Sequence, residues 1–176
     1  MMKQWTMPLC AVALLCATQA QAGVKDWLPK PSVDTAGLKT VYAGFGFTTE
    51  MVHVNAEVPT GFGNVYAKVG GFLGSNENNV AGLVGFRYPY SLTGEDKNGY
   101  YLGAFAGHIE ESDVGGKTYN RLGAGPEISY VWADKTRISA ASIGIGFGEH
   151  KKGSNGEKDP SHPVVMVSYT INFGVF

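Results

Sequence analysis

Five charged residues, Glu57, Lys68, Arg87, Arg121 and Glu127, stand in segments otherwise rich in glycine, aromatic and branched apolar residues. Ionised groups in such surroundings need partners, because an unpaired buried charge costs several kcal/mol. Two carboxylates and three cations suffice for an ion-pair network, with Arg87 between Glu57 and Glu127. The same set would also serve a sharper chemistry, a relay for protons or small ions. The histidines His53, His108, His150 and His162 form a second group. They sit on separate strands or loops, without the paired spacing that sets two histidines on one strand face. Polar rim residues are therefore expected, with no metal and no cofactor. A third group lies between Glu149 and His162, where Lys151, Lys152 and Lys158 accompany His150. Offset by Glu149, Glu157 and Asp159, these lysines make a loop suited to phosphates or sulfated glycans. Glu110, Glu111 and Asp113 make another loop acidic. The plainer account of both loops is a solvated surface with weak ion pairs.

The elements that must position these groups are strands. From Pro163 to Phe176, Val165, Val167, Tyr169, Ile171, Phe173 and Val175 share one parity, and Met166, Ser168, Thr170, Asn172 and Gly174 the other. A period of two with one apolar face is a strand signal. Seven earlier segments show the same alternation: 38–48, 52–58, 64–74, 79–90, 100–109, 119–132 and 136–148. Pro59–Gly63, Ser91–Gly99, Glu110–Thr118, Ala133–Lys135 and Glu149–His162 are read as turns or loops. Glu57, Lys68, Arg87, Arg121 and Glu127 all take the parity opposite the apolar one. In the fifth segment Tyr101, Phe105 and Ile109 are assigned to the apolar face, and Ala104, Ala106 and His108 to the other.

Residues 1–22 read as an export signal: Lys3, an apolar run from Met7 to Ala17, and Ala20-Gln21-Ala22 as a small-x-small cleavage site. That run is too short to span a bilayer as a helix. Cys10 and Cys16 both fall inside it, each preceded by leucine, so the mature chain is expected to lack thiol chemistry. Residues 23–37 carry prolines and no period, and read as a periplasmic lead-in. The remainder, 38–176, is one domain by length. With 14 Lys+Arg against 15 Asp+Glu, the balance is poorly suited to nucleic acid.

Three observations favour an all-β, eight-stranded antiparallel up-and-down transmembrane β-barrel over a soluble sheet or a lipocalin-like barrel. With 23–37 in the periplasm, the long loops at Glu110 and Glu149 fall outside and the Ala133 turn inside, the asymmetry of such barrels. Tyr88, Tyr90, Tyr100, Tyr101, Tyr130, Trp132, Phe173 and Phe176 gather near one rim, as an interfacial belt would. Gly44, Gly46, Gly70, Gly85, Gly123, Gly125, Gly144 and Gly146 share the inward parity, which suits a bore filled by side chains.

Tyr119, Gly123-Ala124-Gly125-Pro126, Tyr130, Trp132-Ala133, Ile138 and Gly144-Ile145-Gly146-Phe147-Gly148 together resemble the small barrels of the opacity, attachment-invasion and outer-membrane protein X type. The resemblance implies an outer-membrane location, extracellular loops or protruding strands, and in several members adhesion or serum resistance. The partners it implies are lipopolysaccharide, the barrel-assembly machinery and a host surface ligand; a monomer is expected. Phe176 lies one step off the apolar parity, so the terminal assembly signal is displaced or follows a bulge. Lipid A deacylases are barrels of similar size with a His-x-Ser-Asn site on the penultimate strand. Here His150 is followed by Ser154-Asn155, and the intervening Lys151-Lys152-Gly153 spoils the spacing that lets histidine activate serine. A non-enzymatic surface barrel is the expectation, with a lipid A-modifying hydrolase and a narrow transport pore as alternatives.

Overall fold

The computed structural model describes residues 35–73, 80–93, 98–114, 117–149 and 162–176. The expected export signal and most of the lead-in lie outside them. Eight strands follow in chain order: β1 Tyr42–Thr48, β2 Met51–Thr60, β3 Gly63–Phe72, β4 Val80–Leu92, β5 Gly99–Val114, β6 Lys117–Ala133, β7 Arg137–Gly148 and β8 Val164–Gly174. Each pairs antiparallel with the next, and β8 pairs with β1 to close the barrel. The fold is therefore all-β, and the described residues contain no helix.

Polarity is inverted relative to a soluble barrel. On β2, Val52, Val54 and Ala56 are exposed while His53, Asn55 and Glu57 are buried. On β8, Val165, Val167 and Phe173 face out while Ser168, Thr170 and Asn172 face in. An eight-stranded barrel is wide enough only for interdigitating side chains, and glycines supply the room. A β-carbon on Gly85 would lie 2.3 Å from Tyr66 Cζ, and one on Gly144 would lie 2.8 Å from Phe105 Cε1. Ile109 likewise fills the space over Gly123, Gly146 and Gly148.

Two apolar clusters cap the interior. Met51, Tyr66, Ala81, Leu83, Phe105, Ile109, Val164 and Met166 form the one toward the β1–β2 turn. Tyr42, Tyr101, Val131, Ala133, Ile138 and Ala140 form the other, at the end where β1 begins and β8 finishes. At that second end Tyr42 Oη donates to the Asp134 carbonyl at 3.0 Å and accepts from the Lys39 amide at 3.0 Å.

The structure corrects the sequence reading at several points. On β5 the parity is reversed: Tyr101, Phe105 and Ile109 are buried, and Tyr100, Leu102, Ala104 and Ala106 face outward. The large residues of this strand alternate with Gly99, Gly103 and Gly107, the small-beside-large pattern of the lumen, and Tyr101 leaves the aromatic belt. Glu110–Thr118 is not a loop. Glu111, Ser112 and Asp113 pair with Asn120, Tyr119 and Thr118, extending β5 and β6 as a two-stranded ribbon. This stretch carries polar residues on both parities, which erases the alternation that marks a strand.

Smaller differences concern turns and the final strand. The turn expected over Pro59–Gly63 shortens to Gly61 and Phe62, with the Thr60 hydroxyl donating to the Gly63 carbonyl at 2.7 Å. β8 shows no register shift in its pairing with β1 or β7. Beyond it the Phe176 carbonyl accepts from the Thr40 amide at 2.6 Å while the ring stays exposed.

Gly85→Ala tests the fit of large residues over glycines. The added methyl must displace the Tyr66 ring, so a loss of about 1–3 kcal/mol in urea unfolding is expected. Gly61→Ala, in open space, should leave stability nearly unchanged.

Candidate functional site

Alternation on six strands brings one polar network to the middle of the lumen. β4 supplies Arg87, fully buried, whose Nη1 lies 3.3 Å from Glu57 Oε2 on β2 and whose Nε lies 3.1 Å from Glu127 Oε1 on β6. The same guanidinium reaches Ser129 Oγ at 3.1 Å and Ser142 Oγ at 3.3 Å. Its charged carbon stands 4.1 Å from the centroid of the Tyr66 ring, close enough for a cation–π contact.

Both carboxylates are bonded further. Glu57 accepts from Asn64 Nδ2 at 2.7 Å and Asn172 Nδ2 at 3.1 Å, and Glu127 accepts from Tyr66 Oη at 2.9 Å. Asn55 Nδ2 donates in turn to Asn172 Oδ1. Lys68 is not part of the ion pairing. Its Nζ donates to Ser168 Oγ at 3.2 Å and lies 5.1 Å from the Tyr66 ring centroid.

Arg121 stands apart from that network, at the opposite end of β6 from Ser129 and Val131. A register shift between His108 and Glu110 sets Glu110 opposite Arg121, whose Nη1 meets Glu110 Oε2 at 2.8 Å. Its Nε donates to the Glu149 carbonyl at 3.2 Å and its Nη2 to the His162 carbonyl at 2.9 Å. One buried guanidinium thus ties β5, the end of β7 and the approach to β8. His162 Nε2 adds a contact to Glu110 Oε1 at 3.0 Å.

The remaining histidines go to different places. His53 is buried against Gly46 and Gly70, and His108 Nδ1 meets the Gly82 amide at 2.9 Å where β5 leaves β4. His150, Lys151, Lys152, Ser154, Asn155 and Lys158 lie outside the described residues. Sequence reasoning missed Tyr66, Asn64, Asn172 and Ser142 as network members, although each sits at inward parity among apolar neighbours.

Chemically this interior is occupied rather than open. Beside the network a cavity of about 10 Å³, lined by Lys68, Tyr66, Glu127, Ser142 and Ser168 among others, has room for about one water. The carboxylates spend their lone pairs on fixed donors, an arrangement that braces the wall. No family model, curated protein or solved structure matches this chain. What can be said of its type therefore rests on the barrel and its groups.

Two expected outcomes follow. Arg87→Met should cost about 3–5 kcal/mol in urea unfolding, because it leaves two buried carboxylates unpaired. Adding Glu57→Gln and Glu127→Gln to that variant should recover much of the loss; no recovery would show that Arg87 acts by packing alone. Glu50, in the turn after β1, has its carboxyl raised above the ordinary value by burial and then by the charge of Glu110. A raised acid favours the folded state at low pH and loses that contribution as pH rises through its folded value. Glu50→Gln should therefore unfold like wild type at low pH and become relatively more stable as pH climbs toward neutrality.

Proposed function

We propose that this chain is a small, non-enzymatic outer-membrane β-barrel of a Gram-negative bacterium, exported by a cleaved signal, that contributes to envelope integrity or surface contact. The observation that carries the reading is the inverted wall. Phe45, Val54, Val80, Val84, Phe147 and Val165 are each more than half exposed, on a closed barrel whose interior holds Arg87, Glu57 and Glu127. Soluble monomers rarely expose contiguous apolar patches larger than a few hundred Å², whereas lipid wets such a wall at no cost. Closure also satisfies the backbone between strands, a condition for crossing a bilayer without helices.

The aromatic belt supports the same reading. Tyr90, Tyr100, Trp132 and Phe173 point outward near the end where the chain termini of the barrel meet. Tyr130 packs edge-on against Tyr100 at 5.0 Å and tilts against Trp132 at 4.6 Å. Such rings favour headgroup depth. At the other end, among the described residues, the β5–β6 ribbon runs past the wall: β4 pairs with β5 as far as Gly107 and β7 with β6 as far as Gly123. Surface contact is assigned to this ribbon and to the segment 149–162, expected from sequence to be a loop, with Lys151, Lys152 and Lys158. The partners are lipopolysaccharide and a host surface ligand, with the barrel-assembly machinery during insertion. The opacity and outer-membrane protein X type is the finer reading, on the motif of β6 and β7. No observation on the described residues favours the hydrolase or the pore.

The test is gel migration of detergent-extracted protein, boiled and unboiled, beside envelope fractionation. Heat-modifiable migration from the outer-membrane fraction is the expected result. A soluble periplasmic protein with unchanged migration would contradict it.

A further inference from the structure

The outer wall is not uniformly covered. On the outward parity of β7 stand Arg137, Ser139, Ala141 and Ile143; Ser139 is buried beneath its neighbours, and Ala141 is half-buried. Tyr130 and Trp132 of β6 pair with Ala141 and Ser139 on one side, and Tyr169 and Ile171 of β8 pair with them on the other. The result is a trench floored by Ala141. A groove of about 300 Å³ opens there, lined by Tyr100, Ile128, Tyr130, Ala141, Ile143 and Val167.

Beyond the groove, past buried Ser139, the rim of the barrel is cationic. Arg137 is exposed, as are Lys135 in the preceding turn and Lys39 on the lead-in to β1. Lys135 lies over Gly37, and Lys39 lies over Gly174 on the inward parity of β8, whereas Arg137 takes the outward parity opposite Phe173. Asp134, the acidic residue of this turn, spends one carboxylate oxygen on the Thr136 amide, the Thr136 hydroxyl and the Arg137 amide, each at 2.7 Å. Arg137 and Ala141 are four residues apart along an extended strand, about 13 Å. A phosphodiester on Arg137 would therefore lie above the glycerol and first methylenes of a chain seated over Ala141.

The geometry points to a site for one anionic glycerophospholipid of the periplasmic leaflet, its phosphate on Arg137 and one acyl chain in the β6–β8 trench. This rests on the membrane reading above. The apolar groove fits the chain, and the exposed guanidinium of Arg137 fits the headgroup phosphate.

The test is native mass spectrometry of the refolded mature chain released from detergent, with dioleoyl-phosphatidylglycerol or dioleoyl-phosphatidylcholine added. Wild type should retain one phosphatidylglycerol per chain. Arg137→Gln should lower that retention about tenfold relative to wild type, the scale of one charge-assisted phosphate contact. Ala141→Phe, which fills the groove from a position of outward parity, should abolish retention of phosphatidylglycerol. Val54→Phe, elsewhere on the wall, should retain lipid as wild type does. Equal retention in all four proteins would overturn the site in favour of unspecific boundary lipid. A wild-type dimer that Ala141→Phe dissociates would overturn it in favour of a second copy of the chain. Each preparation is run boiled and unboiled beside this measurement. Unchanged migration of wild type overturns the membrane reading and the lipid with it, whereas heat-modifiable protein with indifferent retention overturns the lipid site alone.

Discussion

Arg87 has no route to solvent, and its charge rests on Glu57 and Glu127 from opposite sides of the chain's order. The rest of the interior follows from that constraint. A guanidinium held away from water must be matched by carboxylates in good geometry, and those carboxylates must be matched in turn. Asn64 and Tyr66 from β3 and Asn172 from β8 do this for the carboxylates, while Ser129 of β6 and Ser142 of β7 accept from the guanidinium, so one charged centre reaches across almost the whole wall. Apolar clusters above and below keep the centre dry, which strengthens every bond within it. Glycines on the same parity give Tyr66 and Phe105 the space to approach.

The two ends of the barrel solve different problems with related means. At the end where β1 and β8 meet, Tyr42 and Asp134 fix a short turn, and aromatic rings with Lys39, Lys135 and Arg137 ring the rim. At the other end Arg121 and Glu110 hold together the root of the ribbon, the end of β7 and the approach to β8. An arginine is suited to both its tasks in this chain because its fork can serve several acceptors at once. The interior arginine joins side chains across the lumen; the mouth arginine joins main-chain carbonyls to one carboxylate. The wall between the ends carries the apolar exposure on which the membrane reading depends.

Much of this was legible in the residues, and the exceptions have physical causes. Seven of the strands alternate cleanly enough that parity alone separates Val54 from Asn55 or Val167 from Ser168. β5 misled because its inward face carries Tyr101, Phe105 and Ile109, larger and more apolar than the alanines facing out. The glycines between them were the better signal, since only a crowded face needs them. The ribbon was hidden by its composition, as polar residues on both parities leave no period. Arg121 shares the inward parity of Arg87, but parity does not give height along a tilted strand, so its separation from the central network and its bond to Glu110 needed the register.

The most direct test of the inverted wall is a nitroxide scan of β5 in lipid vesicles. The expected mature chain offers no competing cysteine, so single cysteines from Tyr100→Cys to Ala106→Cys can be labelled one at a time and their collision rates with oxygen measured. The account predicts a period of two, with maxima at Tyr100, Leu102, Ala104 and Ala106. Maxima at Tyr101 and Phe105, or the absence of any period, would contradict it.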